Sequence, residues 1–186
     1  MSAKEAAAAR ARGALERLIR DVPDFPEPGV LFKDITPVLA DCEAFHDVVE
    51  AMAEAGRDAD GVTVVDRVLG MEARGFLLGA PIALALGVGF VPIRKAGKLP
   101  AETYGVTYDL EYGTATLEMH TDALRPGDRV LLVDDVLATG GTIAATTELV
   151  HRAGAEVHAV SVLMELAFLE GRAAAGDAPL STLLTV

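Results

Sequence analysis

Residues 130–142, Val-Leu-Leu-Val-Asp-Asp-Val-Leu-Ala-Thr-Gly-Gly-Thr, constrain the fold of this 186-residue chain more than any other stretch. Val130 to Val133 form a continuous apolar run, the pattern of a strand covered on both faces in a parallel sheet. Two adjacent carboxylates, Asp134 and Asp135, follow at once. A loop of small and hydroxyl residues comes next (Ala138-Thr139-Gly140-Gly141-Thr142), and a helical pattern opens behind it. Carboxylates at a strand's C-terminal edge can accept hydrogen bonds from sugar hydroxyls. Glycines let the backbone approach a phosphate, and a helix N-terminus adds unpaired N–H groups and the positive end of a dipole. Together these features predict a ribose 5-phosphate site; an incidental acidic turn in a strand–helix crossover is the plainer alternative. Neither a nucleoside triphosphate loop (Gly-x-x-x-x-Gly-Lys-Ser/Thr) nor a dinucleotide turn (Gly-x-Gly-x-x-Gly) is present.

Composition narrows the class. The chain is 51% apolar and only 5% aromatic, which favours Val/Leu-rich strands alternating with Ala-rich helices. Its length fits one domain spanning 1–186, with a small appended flap. A formal charge of −12 argues against a nucleic-acid partner, since a phosphate backbone needs a basic face. Cys42 is the single cysteine, so neither a disulfide framework nor a cysteine metal site can form. Beside Asp41 and Glu43 it is expected to be an unreactive, buried or half-buried structural thiol. Phe76 to Ile93 carries no charge, but Gly79, Pro81, Gly87, Gly89 and Pro92 break it into a short helix, a turn and a strand rather than a membrane span. The N-terminus lacks an apolar signal core, and a cytoplasmic location is expected.

Along the chain, residues 3–20 and 43–57 show helical spacing. Between them, four prolines before Val38 predict a stiffened loop carrying Phe25 and Phe32. A first core strand is expected at Val62–Val65 or at Val68-Leu69. After it come a glycine-rich turn over Gly70 to Gly75, a helix to about Leu86 and a strand from Val88 to Ile93. Residues 94–122 break this rhythm. They alternate around Tyr112-Gly113-Thr114, the mark of an antiparallel hairpin. A helix over about 141–153 and a strand from Val157 to Leu163 complete the order βαβ, flap, βαβ. The fold class is α/β: an open, mostly parallel twisted sheet flanked by helices, with its ligand crevice at the strand C-termini.

Arg74 follows the first core strand, Arg94 and Lys95 end the next, and Lys98 lies just beyond. Four cations at strand ends in an acidic chain predict a pyrophosphate site, because arginines fork onto phosphoryl oxygens and lysines act as point charges. A 5'-phosphate, a ribose and a pyrophosphate on one edge amount to phosphoribosyl pyrophosphate (PRPP).

Residues 130–142 resemble the PRPP motif of type I phosphoribosyltransferases. Three further segments resemble the adenine-using branch of that family: Phe25-Pro-Glu-Pro-Gly-Val-Leu-Phe-Lys-Asp-Ile-Thr-Pro, Met71-Glu-Ala-Arg-Gly-Phe, and Arg94-Lys-x-Gly-Lys-Leu-Pro with Tyr108-Asp-Leu-Glu-Tyr-Gly. The resemblance covers nearly the whole chain. It implies conversion of adenine and PRPP to AMP and diphosphate through an oxocarbenium-like state. It also implies an N-terminal hood and base-binding loop over about 1–40, a flexible flap over about 96–122, and a homodimer with an arginine or the 71–76 turn near its interface. Glu111 matches the position that receives the adenine N9 proton. Tyr108 and Tyr112 close over the ligand or pack in the core. Val30, Leu31, Phe32 and Lys33 with Val136 form the adenine pocket, Lys33 alternatively packing or pairing with Asp34. Mg2+ is expected to travel on the substrate's oxygens, because no dense carboxylate set forms a cage. Lys33 and Val136 depart from residues common in the family, at the border of the base pocket. His46, His120, His151 and His158 are dispersed and carry no assigned chemistry. The alternatives are a xanthine or guanine phosphoribosyltransferase and a PRPP-sensing regulator without catalysis.

Overall fold

A computed structural model describes residues 3–109, 113–173 and 175–186. The chain divides into two compact units, Met1–Ala51 and Met52–Val186. Among the described residues no helix is long and apolar enough to cross a membrane.

The first unit begins with α1 (Ala3–Leu18), which buries Ala11, Ala14 and Leu15. β1 (Arg20–Pro23) and β2 (Leu31–Asp34) form a two-stranded antiparallel ladder. The sequence suggested only a proline-stiffened loop here. The ladder is permitted because Pro23 sits at its end while Pro26 and Pro28 fall in the turn, where no strand donor is needed. The register sets Arg20 opposite Asp34 and Asp21 opposite Lys33, so both pairs are of opposite charge. Arg20 Nη2 lies 2.6 Å from Asp34 Oδ2, and Lys33 Nζ lies 2.7 Å from Asp21 Oδ1. Lys33 thus pairs with Asp21, not with Asp34. The turn closes when the Phe25 N–H donates to Val30 O and the Gly29 N–H to Asp24 Oδ1. α2 (Thr36–Ala40), with proline in its first turn, and α3 (Cys42–Ala53) complete the helices, and Arg10 of α1 reaches Asp47 of α3 at 3.1 Å. Cys42 is exposed, contrary to the expectation of a buried thiol, because it opens α3 between two exposed acids.

The second unit is a seven-stranded sheet: β3 (Arg67–Met71), β4 (Gly89–Lys95), β5 (Thr103–Asp109), β6 (Thr114–His120), β7 (Arg129–Leu137), β8 (Glu156–Glu165) and β9 (Leu180–Thr185), with α4 (Arg74–Leu86) and α5 (Gly141–Arg152). The spatial order is β5-β6-β4-β3-β7-β8-β9. β4, β3, β7, β8 and β9 run parallel, and β6 and β5 continue the β4 edge antiparallel. The expected hairpin therefore extends the main sheet. Of the two expected positions for the first strand, the second holds, since β3 covers Val68-Leu69 and runs on to Met71.

Two boundaries differ from the sequence reading in ways that shape the site. β3 and α4 leave only Glu72-Ala73 as a connection, joined by a cis peptide, where a six-residue turn was expected. β7 runs to Leu137, because β8 continues the ladder with Val136 opposite Met164 and Leu137 opposite Glu165. Asp134 and Asp135 therefore lie within a strand. β9 had no sequence signal strong enough to read; it pairs with β8 from Val160–Leu180 to Glu165–Thr185. A seam of glycines lets α4 lie on the sheet. A Cβ at Gly70 would stand 2.7 Å from Gly75 O, and one at Gly79 would stand 2.8 Å from Phe90 Cε2. Both separations are below any real contact; at Gly70 the obstacle is backbone and the position requires glycine, whereas a side chain at Gly79 would have to displace the Phe90 ring.

Candidate active site

The C-terminal ends of β4, β3 and β7 are neighbours in the sheet, and each carries part of one polar edge. On β7, the Asp135 N–H donates to Asp134 Oδ1 at 2.9 Å, which turns that carboxyl back along its own strand. Asp135 is buried, and its Oδ2 lies 2.9 Å from Arg74 Nε at the start of α4. The contact is ionic rather than an aligned hydrogen bond, since Asp135 Oδ2 has no hydrogen-bond partner of good geometry. Asp134 retains some accessible surface, but protein crowds its carboxyl. Burial, and next the charge of Asp135, push Asp134 well above the usual carboxylate range against the pull of Arg74. α4 comes close enough to matter. A Cβ on Gly75 would stand 2.9 Å from Val133 O and 3.0 Å from Asp134 Oδ1.

Beyond the carboxylates, residues 136–143 surround a small cavity of about 60 Å³. Gly140 adopts φ +83°, a left-handed value that suits glycine, and α5 starts immediately behind it without a side-chain cap. The Ala144 N–H is the first to be received within the helix, by Gly140 O. The amides of Gly141, Thr142 and Ile143 have no intrahelical acceptor, as in the first turn of any helix. The loop and helix thus present Ala138, Thr139, Gly140, Gly141 and Thr142 around an anion-sized hollow with a favourable dipole. Tyr108, near the end of β5, places its hydroxyl 3.5 Å from Thr142 Oγ1. The other end of α5 is tied to β5 as well, because Arg152 Nη1 donates to Gly105 O at 2.8 Å.

The cation cluster is organised by a residue that the sequence reading did not single out. Glu72, between β3 and α4, forms an ion pair with Lys98, lies 3.4 Å from Arg94 Nε and accepts the Lys95 N–H at 3.1 Å. Burial pushes Glu72 up, but Lys98, the Lys95 amide and Arg94 outweigh it and hold the carboxyl below its ordinary value. Arg94 also donates from Nη1 to Lys98 O at 3.0 Å, which closes the 94–98 loop. The structure therefore gathers Arg94, Lys95 and Lys98 around one acid, while Arg74 faces the Asp134–Asp135 pair instead. Glu72 was legible only as an acid beside Arg74 in the turn after a core strand. Gly75 likewise gave no signal beyond its place in Arg-Gly-Phe.

In the first unit, Val30 and Leu31 are exposed, the latter by 54%. Phe32 stands edge-on to Phe25, with ring centroids 5.1 Å apart. In the second unit, Val136 is half-buried on β7. Glu111 and Tyr112 lie outside the described residues.

A parallel sheet whose central strand carries paired carboxylates near its C-terminal end and runs on into a glycine loop, beside a cationic edge, defines a class that handles phosphorylated sugars. The family model described as phosphoribosyl transferase domain matches residues 39–175. The adenine phosphoribosyltransferase of Nocardioides sp. is 71% identical over 91% of this chain and 91% of its own length. That of Streptomyces coelicolor is 60% identical over 90% of this chain and 92% of its own. Among solved structures, the adenine phosphoribosyltransferase of Saccharomyces cerevisiae, complexed with an imino-altritol bisphosphate and adenine, superposes with a TM-score of 0.89. It is 41% identical and covers 95% of this chain and 99% of its own. The chain belongs to the adenine phosphoribosyltransferase family.

Proposed function

We propose that this chain transfers the 5-phosphoribosyl group of PRPP to N9 of adenine, giving AMP and diphosphate. The observation that carries this reading is the adjacency of three sites on one sheet edge. A carboxylate pair on β7 leads into an uncapped helix N-terminus, and a cation cluster lies at the ends of β3 and β4. A ligand with a 5'-phosphate, ribose hydroxyls and a 1-diphosphate meets those groups in that order. The bond from the anomeric carbon to the diphosphate oxygen breaks, the bond from that carbon to adenine N9 forms, and the N9 proton passes to a base.

The chain supplies each group that this reaction needs. The loop 138–142 holds the 5'-phosphate through backbone N–H groups and threonine hydroxyls. Asp134 and Asp135 accept the ribose hydroxyls and set a negative potential beside the carbon that becomes electron-poor. Arg94, Lys95 and Lys98 neutralise the departing diphosphate, while Arg74 faces the carboxylate pair. Glu72 preorganises the side chains of Arg94 and Lys98 and anchors the backbone of Lys95, so these groups need not be gathered at the moment of reaction. Glu111 takes the N9 proton, and Tyr108 and Tyr112 close over the site to keep water from the oxocarbenium-like carbon. Val30, Leu31, Phe32 and Lys33 of the first unit receive adenine. The Saccharomyces cerevisiae relative, complexed with adenine and a bisphosphate, supports pairing these two ligand classes in the family.

Mg2+ would be held by the substrate's own oxygens and would offset part of the charge of the leaving group. Among the described residues no cluster of three or more His, Cys, Asp or Glu could hold a metal ion. The enzyme works in the cytoplasm as a homodimer. Support for self-association is the exposure of Leu77 and Leu84, which are one heptad apart on α4.

The test is diphosphate release from PRPP by the purified chain with adenine, hypoxanthine, guanine and xanthine in turn. Adenine alone should support turnover. Turnover of a 6-oxopurine without adenine would replace the acceptor, and no turnover with any base would leave a sensor without catalysis.

A further inference from the structure

The phosphate loop is supported from behind by a part of the chain that the reaction does not otherwise use. After β8 ends at Glu165, the chain forms a short 3-10 turn, Gly171–Ala173. Gly171 is buried. A Cβ built on it would overlap the carbonyl oxygen of Ala138 and stand 3.0 Å from Ala138 C and 3.1 Å from Gly140 N. All three are backbone atoms of the loop around the anion hollow, so no side chain can swing aside. The glycine is not there for turn geometry. Gly176, a few residues on, has φ +81° and open space around it, whereas Gly171 lies outside the left-handed region and against the loop.

The turn is fixed at both ends. Arg172 donates Nε to Glu165 Oε1 at 2.7 Å and Nη2 to Glu165 Oε2 at 2.7 Å, a two-pronged contact, and Nη1 reaches Leu180 O at 3.3 Å. Glu165 is itself buried between Leu137 of β7 and Thr185 of β9 in the ladder. The Leu166 N–H donates to Leu137 O at 2.9 Å, just before the loop begins. Planar guanidinium–carboxylate forks fix orientation as well as distance, which a lysine cannot reproduce. The end of β7, the fork and the turn thus form one closed frame around residues 138–140.

We propose that Gly171, held in place by the Glu165–Arg172 fork, is a positioning residue that sets the shape of the 5'-phosphate loop by bearing on the Ala138–Gly140 backbone. This inference rests on the reading of that loop as the phosphate site. A methyl at Gly171 must displace the Ala138–Gly140 backbone, and loss of the fork removes what holds the turn against it. Either change misplaces the amides that receive phosphate and alters none of the adenine-binding side chains directly.

The test is calorimetric titration of the full chain with ribose 5-phosphate, for wild type, Gly171→Ala and Arg172→Lys, together with the Michaelis constants for both substrates and melting curves. Gly171→Ala should weaken ribose 5-phosphate about tenfold, the low end of what overpacking a tight contact costs. The KM for PRPP should rise in parallel while that for adenine stays within about twofold, a split that general destabilisation would not produce. Arg172→Lys should shift the same constants in the same direction by a smaller factor. Wild-type affinity in folded Gly171→Ala overturns the proposal. If that variant fails to fold, wild-type affinity in Arg172→Lys overturns it equally. Absence of ribose 5-phosphate binding by the wild type itself would overturn the site reading and this inference together.

Discussion

Arg74→Gln removes the cation facing the paired carboxylates of β7. Arg74 Nε lies 2.9 Å from Asp135 Oδ2, and the two side chains are 38% and 7% exposed. Exposed ion pairs contribute about 0–1 kcal/mol, whereas stripping one partner from a buried pair costs about 3–5 kcal/mol. A buried carboxylate facing a partly exposed guanidinium falls between these limits, at about 2 kcal/mol. In a chain of this size each kcal/mol moves Tm by about 2–4 °C, so the variant should melt about 4–8 °C lower near neutral pH. The pH dependence separates charge from packing. Burial and Asp135 already raise Asp134, and losing Arg74 raises it further. An acid whose folded pKa lies above its unfolded value, about 3.9, favours the fold below that value; this stability is lost as pH rises through the folded pKa. The variant's deficit should therefore be small in acid and full at neutral pH. Paired thermal or urea unfolding of wild type and variant across pH 4 to 8 measures it. A deficit equal at every pH would show that Arg74 acts through its aliphatic stem and would refute the electrostatic account.

Four further outcomes follow from the same geometry. Asp134→Asn should stabilise the ligand-free protein near neutral pH, since it removes a carboxyl whose burial disfavours charge while keeping the acceptor for the Asp135 N–H. It should also weaken ribose 5-phosphate, and a destabilised Asp134→Asn would contradict the pKa argument. Glu72→Gln should raise the KM for PRPP about tenfold and leave adenine unaffected, because Arg94 and Lys98 lose their common anchor; a fall in KM would mean that Glu72 only competes with diphosphate. Asp34 is lowered to about 2, first by the Thr36 amide and then by Arg20, so its stabilisation is present above the ordinary aspartate range and is lost as pH falls through about 2. A carboxyl resonance for Asp34 that titrates near 4 would rule this out. Glu111→Ala should lower kcat about a hundredfold with the fold intact if Glu111 takes the N9 proton, and a wild-type rate would exclude that role.

The α/β rhythm was legible because apolar runs and glycine breaks report burial directly. Val130–Val133, the helix ending at Leu86 and the hairpin after Lys98 all stand where periodicity put them. Strand ends were not legible. Whether β7 stops at Val133 or at Leu137 depends on a neighbour, β8, that continues the ladder, and sequence carries no local trace of that pairing. The β1–β2 ladder was hidden for a related reason, since prolines read as loop until the register shows them in the turn and at a strand end. Within the site, the glycine loop and the cations announced themselves by composition. Glu72 and Gly171 did not, because one acts by gathering three residues from a distant loop and the other by the absence of a side chain against distant backbone.

One sheet edge holds a single donor molecule at two separate places, the loop 138–142 and the cations 94–98. Amide hydrogen exchange of the full chain, alone, with ribose 5-phosphate, and with PRPP and Mg2+, tests this directly. Ribose 5-phosphate should protect peptides covering 138–144 and leave 94–98 unchanged, and PRPP should protect both. Protection by PRPP confined to one segment, or located elsewhere in the chain, would rule out a donor held at both places.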